Sequence, residues 1–397
     1  CISYCYMSLQ TKYNVVFPLA KRERYLANET VDFVISLAGR KLVPGSLSIV
    51  GDATLYSDQA NGVVLNSNGV ATTRQITIDP DVGYHSMFRD FTTEFRDVGL
   101  TESFSYYPRY VKMHSQANNY QDSLGTETSN CASGMCLSET VRRGYNQGGA
   151  QTDGTNLGSL PFCIMPMIAP NKSDQGIPGD QFGALRIRCR LAPHSEVLYG
   201  DDVTAAAGYQ LRNLQIRYED MVDDQTRPPI NMEVYHVARQ VIETNNANIS
   251  SFVPGPAVAM HMSFNRTSNE QNDLFNFLQC EPLCGTPLGS LTPDDPNLPQ
   301  SGADRLYYAV NDNDTALVGF TMESREEMVY NYLRSWNIEP RSYSNVLRRI
   351  NRGEAYGLGI PFGSPIDFSQ MKFAAEVDSN TAVPTSCYMY FKGILSL

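Results

Sequence analysis

Three side chains that could serve a hydrolytic reaction lie close together in the sequence. His85 and Ser86 are adjacent, and Asp90 follows four residues later. A serine nucleophile needs a histidine base and a carboxylate that orients it, but triads are assembled in space, and sequence neighbours rarely serve together. A secreted hydrolase is therefore the weakest functional hypothesis, and we expect the protein to be no enzyme and to have no catalytic residues.

Four cysteines could bind zinc if two long loops met in space, namely Cys131 and Cys136 in one loop and Cys280 and Cys284 in the other. Neither pair has the usual two-residue gap, so a loop disulfide or free thiols stay as alternatives. The five histidines are scattered, and His236 and His261 fall in strand-like runs, where a structural role is the simpler interpretation. We predict no metal and no cofactor.

Two further patterns could bind anions. Residues 357–363 (GLGIPFG) resemble a nucleotide loop, but the third glycine comes one residue late and Pro361 obstructs a following helix, so a turn-rich loop is predicted. Arg348, Arg349 and Arg352 end a short predicted helix. There they either complement the helix dipole or bind an anion.

Composition limits the class of protein. The chain has 397 residues, of which 42% are hydrophobic and 18% charged, and its net charge is −11. A surface this acidic argues against binding to nucleic acid, which depends on lysine and arginine. We expect no membrane-spanning run and no leader, so the chain is interpreted as soluble. Nine cysteines without regular spacing favour folding in a reducing compartment.

Strand patterns dominate the elements that would position these residues. Residues 185–191 alternate apolar side chains with three arginines, and residues 209–218 form a strand with a phase shift near Asn213 that suggests a bulge. Whether the arginine face meets solvent or another subunit is left open. Other strand-like runs cover residues 31–37, 46–55, 74–78, 232–241, 257–264, 306–310, 366–377 and 387–397.

The chain divides into two similar halves. An acidic cluster at residues 219–224 leads into Arg227-Pro228-Pro229, where the prolines stop a strand and stiffen a linker. We therefore predict domains at residues 1–225 and 226–397, both antiparallel β-sandwiches. Few helices are predicted, the best over residues 324–336 and a second over 344–352, while residues 84–95 are ambiguous.

Several segments together resemble the major capsid proteins of double-jelly-roll icosahedral DNA viruses. The motifs are structural, and their order and spacing along most of the chain carry the resemblance. They lie at residues 42–51, 83–89, 107–113, 185–218, 359–363, 366–369 and 388–393.

The resemblance implies an all-β fold of two consecutive eight-stranded jelly rolls with short helices in loops. It also implies a homotrimer that forms a pseudo-hexameric capsomer, with capsomers tiling the icosahedral shell of a virion made inside the host cell. Neighbouring capsomers, penton and minor capsid proteins and an internal membrane would be the partners. Segments 116–160 and 279–303 would form towers or clasps between subunits.

The main alternative is a carbohydrate-binding, lectin-like β-sandwich, because jelly rolls also occur in lectins. That hypothesis predicts a glycan site with clustered aromatic residues and a small stable oligomer. Shell assembly instead predicts trimers that pack into larger particles.

Overall fold

Strands make up most of the computed structural model, which describes residues 11–56, 77–78, 82–118, 160–199, 208–242, 246–252, 255–266, 303–312, 315–322, 325–337, 358–367, 372–379 and 385–397. The strands are β1 (Lys12–Val16), β2 (Tyr25–Leu26), β3 (Thr30–Ile35), β4 (Arg40–Leu42), β5 (Ser48–Tyr56), β6 (Thr77–Ile78), β7 (Phe88–Phe95), β8 (Leu100–Phe104), β9 (Leu160–Ile164), β10 (Ile177–Pro178), β11 (Leu185–Leu191), β12 (Leu198–Tyr199), β13 (Gly208–Val222), β14 (Asn231–Ile242), β15 (Asn246–Phe252), β16 (Pro256–Arg266), β17 (Ala303–Asp312), β18 (Thr315–Met322), β19 (Leu358–Asp367), β20 (Lys372–Ser379) and β21 (Thr385–Ser396). The helices are α1 (Tyr107–Asn118), α2 (Gly179–Phe182), α3 (His194–Val197) and α4 (Arg325–Ser335), with 3-10 turns at Gly83–Met87 and Ala169–Lys172.

The second half of the chain forms two four-stranded antiparallel sheets. Numbered within this half, β14 to β21 are strands 1 to 8. One sheet has the order β14-β21-β16-β19, which is 1-8-3-6, and the other has the order β15-β20-β17-β18, which is 2-7-4-5. This is the strand order of a jelly roll, in which consecutive strands other than 4 and 5 alternate between two facing sheets. We call strands β14 to β21 roll 2.

The first half repeats the same order. Its main strands are β1, β3, β5, β7, β8, β9, β11 and β13, and they pair as β1-β13-β5-β9 and β3-β11-β7-β8. Numbered as strands 1 to 8, these sheets are again 1-8-3-6 and 2-7-4-5. The short strands β2, β4 and β10 extend the 1-8-3-6 sheet. We call this half roll 1, and the predicted double jelly roll is confirmed.

The sequence of β11 explains its place between β3 and β7. Its apolar residues Leu185, Ile187, Cys189 and Leu191 are all fully buried, while the arginines between them face outward. Because successive side chains in a strand point to opposite faces, this alternation fixes which side of the sheet joins the core.

The predicted bulge in β13 is also present. The pairing register with β5 shifts between Arg212 and Gln215, and Asn213 has a φ of 53°. Asparagine tolerates this left-handed conformation better than most residues do, so the phase shift read from the sequence has a local backbone cause.

Two predictions for the second half are wrong. Residues 358–363 belong to strand β19 and not to a loop. They can pass beneath α4 because Gly359 has no side chain. A Cβ atom at this position would meet the Ser335 side chain and lie 3.0 Å from the Tyr332 Cα. Residues 366–377 are not one strand, since β19 ends at Asp367 and β20 begins at Lys372 in the other sheet. Alternation alone does not separate one long strand from two.

Among the helices, α4 confirms the prediction over residues 324–336, and the ambiguous segment 84–95 becomes a 3-10 turn followed by β7. Helix α1 was not predicted. Its start carries a signal, because Pro108 lies in the first turn, where proline is favoured and no amide hydrogen bond is lost. Aromatic residues around it obscured the helical period.

Candidate functional site

The three residues considered for hydrolysis do not form a triad. His85 is buried, and its Nδ1 lies 2.8 Å from the Tyr107 hydroxyl. The Ser86 hydroxyl donates to the Gly83 carbonyl oxygen at 2.7 Å, while Asp90 accepts a hydrogen bond from the Tyr106 amide. Burial lowers the pKa of His85 to about 3. Each of the three side chains is hydrogen-bonded to a different backbone group or to the Tyr107 hydroxyl. The arrangement therefore has no nucleophile–base pair.

The arginines of β11 lie on the outer face of the 2-7-4-5 sheet of roll 1. The side chains of Arg186 and Arg188 both contact Asp32, at 3.3 and 3.0 Å, and Arg190 lies 4.0 Å from Asp90. The three arginine side chains are 40–50% exposed. Ion pairs at such exposure contribute little stability, and their main effect is to reduce the positive charge of this face.

Other predicted features lie outside the described residues. These are the four loop cysteines, the helix over 344–352 with its arginines, and segments 116–160 and 279–303 apart from their ends. Within the part of the chain that the structure describes, no three His, Cys, Asp or Glu residues are placed to hold a metal ion. No described helix is long and apolar enough to cross a membrane.

In the described structure, aromatic side chains of the two rolls form a buried contact. The Tyr235 ring of β14 stacks on Phe104 at 4.8 Å between ring centroids and lies 4.7 Å from Tyr110 of α1. Tyr390 of β21 lies 5.7 Å from Tyr110. None of these four residues is more than 4% exposed. We call them, together with His261 and Trp336, the seam.

Hydrogen bonds orient the seam. The Tyr110 hydroxyl donates to the Tyr235 hydroxyl at 2.6 Å, and Tyr235 donates in turn to Glu233 at 3.2 Å. Tyr390 donates to the Tyr106 carbonyl oxygen at 2.9 Å. Since a buried hydroxyl without a partner is costly, these bonds allow the tyrosines to occupy an interface that excludes water.

A buried carboxylate ties three elements together at the seam. Glu102 of β8 accepts hydrogen bonds from Thr93 Oγ1 at 3.1 Å, from the Ala169 amide at 2.9 Å and from the Tyr235 amide at 3.2 Å. The first two donors belong to roll 1 and the third to roll 2. Desolvation raises the pKa of Glu102 to about 7, although the three hydrogen bonds act in the opposite direction.

The other end of the seam holds a histidine against the single tryptophan. The rings of His261 and Trp336 stack with centroids 3.9 Å apart, and Tyr110 meets both rings. His261 is fully buried, and this burial lowers its pKa to about 3. The structural role predicted for His261 therefore takes the form of a neutral ring packed between the rolls.

The linker between the rolls is held by a set of ion pairs, which we call the linker clamp. The Lys41 ammonium lies 2.5 Å from Asp224 and 3.4 Å from Asp223, and it donates to the Thr226 carbonyl oxygen. Arg227 pairs with Asp223 at 2.9 Å and with Asp180 of α2 at 2.6 Å. The acidic cluster and Arg227 read from the sequence thus fix the linker onto roll 1.

Beside the seam, the outer face of roll 2 has a basin with a cavity volume of about 640 Å³. Its floor includes the Lys392–Glu233 ion pair, whose charged atoms are 2.6 Å apart. These two charges neutralise each other, and the third charged side chain of the lining is Arg334.

Solved structures with the same architecture include a viral coat subunit. The chain matches the Faustovirus major capsid protein with a TM-score of 0.60 at 10% identity, covering 98% of this chain and 90% of that one. It matches a chain of the Sputnik virophage, solved by cryo-EM, with a TM-score of 0.53 at 9% identity, covering 98% of this chain and 86% of that one. No family model and no curated protein matches the sequence. At these identities the likeness shows a shared fold.

Proposed function

We propose that this protein is a major capsid protein, a structural and non-enzymatic subunit that trimerises into pseudo-hexameric capsomers tiling an icosahedral shell. The observation that carries the proposal is the use of one jelly roll twice in a single chain, with an arrangement shared over nearly the full length with the Faustovirus major capsid protein. Each chain contributes two similar rolls, so a trimer has six similar sides. Six similar sides suit hexagonal tiling.

The seam supports this role. It joins the rolls through buried rings and hydrogen bonds, so the pair would act as one rigid block. We propose domains at residues 1–225 and 226–397, with the linker clamp between them. We also propose that the protein resides in the virion after synthesis in the host cell. Penton proteins, minor capsid proteins and an internal membrane remain predicted partners.

A lectin-like role would need exposed aromatic rings that stack on sugars. The aromatic cluster of the seam is instead buried between the rolls. Exposed rings are present at Tyr13, Phe17 and Tyr330, and binding to a glycan array tests whether they contact sugars.

Mass photometry and negative-stain imaging of the purified protein test the proposal. We expect trimers at low concentration and larger regular particles as the concentration rises. Monomers or dimers under all conditions of salt and pH would overturn it. Saturable binding to a glycan array by such a small oligomer would favour the lectin alternative instead.

A further inference from the structure

The basin on the outer face of roll 2 lies where the pairing of β16 becomes irregular. Val258 and Ala259 both line it, although consecutive residues of a regular strand point to opposite faces. Between Ala257 and Ala259, β16 has one extra residue relative to β21, and β19 bulges out over residues 362–365 relative to β16. Bulges re-aim side chains and are over-represented beside active sites. The basin is therefore produced by the strand pairing itself.

A small residue makes the floor of the basin low. Ala259 lies opposite Lys392 of β21 on one side and Pro361 of β19 on the other, and directly opposed residues of antiparallel strands share a face. The methyl group of Ala259 therefore leaves a hollow between two larger side chains. Tyr330 and Ser335 of α4 also line this hollow. Its volume of about 640 Å³ is within the range of about 300–1,000 Å³ that is usual for small-molecule sites.

Cations outnumber carboxylates around the basin. The Glu233 carboxylate pairs with Lys392 at 2.6 Å and accepts a hydrogen bond from the Tyr235 hydroxyl at 3.2 Å. Burial lowers the pKa of Lys172, while Glu233 raises it and Lys392 lowers it, so the Lys172 ammonium lies within the field of the same pair. Arg334 lines the basin, and no carboxylate of the described residues pairs with its guanidinium. A chain with a net charge of −11 thus has a locally positive basin.

The Arg334 guanidinium is oriented by Tyr330, which lies one helical turn earlier. Its Cζ atom is 5.4 Å from the centroid of the Tyr330 ring. Stacking of this kind holds the guanidinium without using its N–H donors, and those donors match two oxygens of a carboxylate or a phosphate. The stack also draws the charge back along α4, away from the C-terminal carbonyl groups with which an arginine in the last turn otherwise interacts.

We propose that the basin binds a small organic anion, whose carboxylate or phosphate group lies on Arg334 and whose apolar part lies against Val258 and Pro361. Apolar walls with a few converging polar groups are typical of small-molecule sites. A cationic ligand is rejected, because Glu233 is already engaged by Lys392. The inference goes beyond the proposed function, since it concerns a ligand of each single chain.

The single tryptophan of the chain reports on binding, because Trp336 lies between Ser335 and Asn337, which both line the basin. The probes are n-hexyl phosphate and hexanoate, titrated into the purified chain while the tryptophan emission is recorded. We expect a saturable change for both, with an affinity at least tenfold higher than for 1-hexanol or inorganic phosphate, because the charged and the apolar parts act together. n-Hexyltrimethylammonium, which has the same apolar part and the opposite charge, should cause no saturable change.

Two matched variants locate the binding. Arg334→Gln removes the guanidinium of the basin and should weaken the binding of n-hexyl phosphate at least tenfold. Arg24→Gln removes an exposed arginine of roll 1 and should leave the affinity near the wild-type value. Both substitutions are at exposed positions, so thermal unfolding should be unchanged in both. Equal affinity of wild type and Arg334→Gln, equal affinity for n-hexyl phosphate and 1-hexanol, or saturable binding of the ammonium probe would overturn the inference. The titrations use the unassembled chain, so their outcome is independent of the proposed function.

Discussion

The seam and the linker clamp both join the two rolls, but they depend on different physics. Four rings of the seam, those of Phe104, Tyr110, Tyr235 and Tyr390, are almost entirely buried, and their three hydroxyl groups are hydrogen-bonded. The clamp is made of ion pairs that combine two exposed side chains, Asp224 at 54% and Arg227 at 31%, with two that are nearly buried, Lys41 at 9% and Asp223 at 1%. The free energy gained by burying apolar surface depends little on salt concentration, whereas the attraction between exposed charges is screened by salt. The seam therefore sets how strongly the rolls adhere, and the clamp sets the path of the chain between them.

The largest effect should come from removing a ring of the seam. We expect Tyr235→Ala to lower the free energy of unfolding by about 3–5 kcal/mol, because it leaves a cavity against Phe104 and Tyr110. Urea unfolding followed by near-ultraviolet circular dichroism measures the change.

Two matched variants sharpen this result. Tyr235→Phe keeps the ring and loses only the hydroxyl, so about 1 kcal/mol should be lost. Tyr13→Ala removes an exposed tyrosine and should change the stability of the monomer by less than about 0.5 kcal/mol. Equal losses for Tyr235→Ala and Tyr13→Ala would show that the seam is not a stabilising contact.

A smaller loss of stability is expected when the pH is lowered, because the seam contains His261. The folded pKa of His261 is about 3, below its ordinary value of 6.5, so the unfolded chain takes up a proton first as the pH falls. The stability associated with the neutral ring is complete above pH 6.5 and decreases toward pH 3. Between pH 8 and pH 5, wild type should lose about 2 kcal/mol more than His261→Phe.

Glu102 should change the stability with pH in the opposite direction to His261. Its folded pKa of about 7 lies above the ordinary value of 4.5, so the folded state takes up the proton first, and stability is gained as the pH falls from 7 toward 4.5. Glu102→Gln should lose this gain and appear more acid-sensitive than wild type. Parallel pH profiles for wild type, His261→Phe and Glu102→Gln would contradict the assignment of these residues to the acid response.

The smallest effect should come from the clamp. We expect Arg227→Met to lower the melting temperature by no more than a few degrees in low salt and to have almost no effect in about 1 M salt. Its clearer consequence should be faster cleavage by an aspartate-specific protease at Asp223 and Asp224. Arg22→Met, which removes an exposed pair with Glu29 within roll 1, serves as the control and should leave this cleavage unchanged. Equal cleavage in both variants would mean that Arg227 does not hold the linker.

The sequence predicted those parts of the fold whose cause is local. The alternation in β11, the bulge at Asn213 and helix α4 each depend on neighbouring residues, and each is confirmed. The seam could not be predicted in this way, because Tyr110 and Tyr235 are 125 positions apart and no local period marks them as partners. The same limit applies to Glu102: alternation places it on the face of Leu100 and Phe104, but nothing in the local sequence marks Ala169 and Tyr235 as its partners. His85, Ser86 and Asp90 illustrate the converse, as expected: they are close in the sequence, but their side chains bond to different partners.

The pairing of β14 with β21 also has a consequence for biosynthesis. Roll 1 has all of its strands once Val222 has left the ribosome, but β14 must wait for residues 385–396 before its neighbour in the sheet exists. Strands with such distant partners pair slowly, because the entropy cost of closing a long loop comes before any stabilising contact forms. Roll 1 can therefore fold first and offer Phe104 and α1 as a template on which roll 2 closes. A chain cut short during translation would lack the strand that carries Tyr390, and such a fragment could not present a finished subunit to its neighbours.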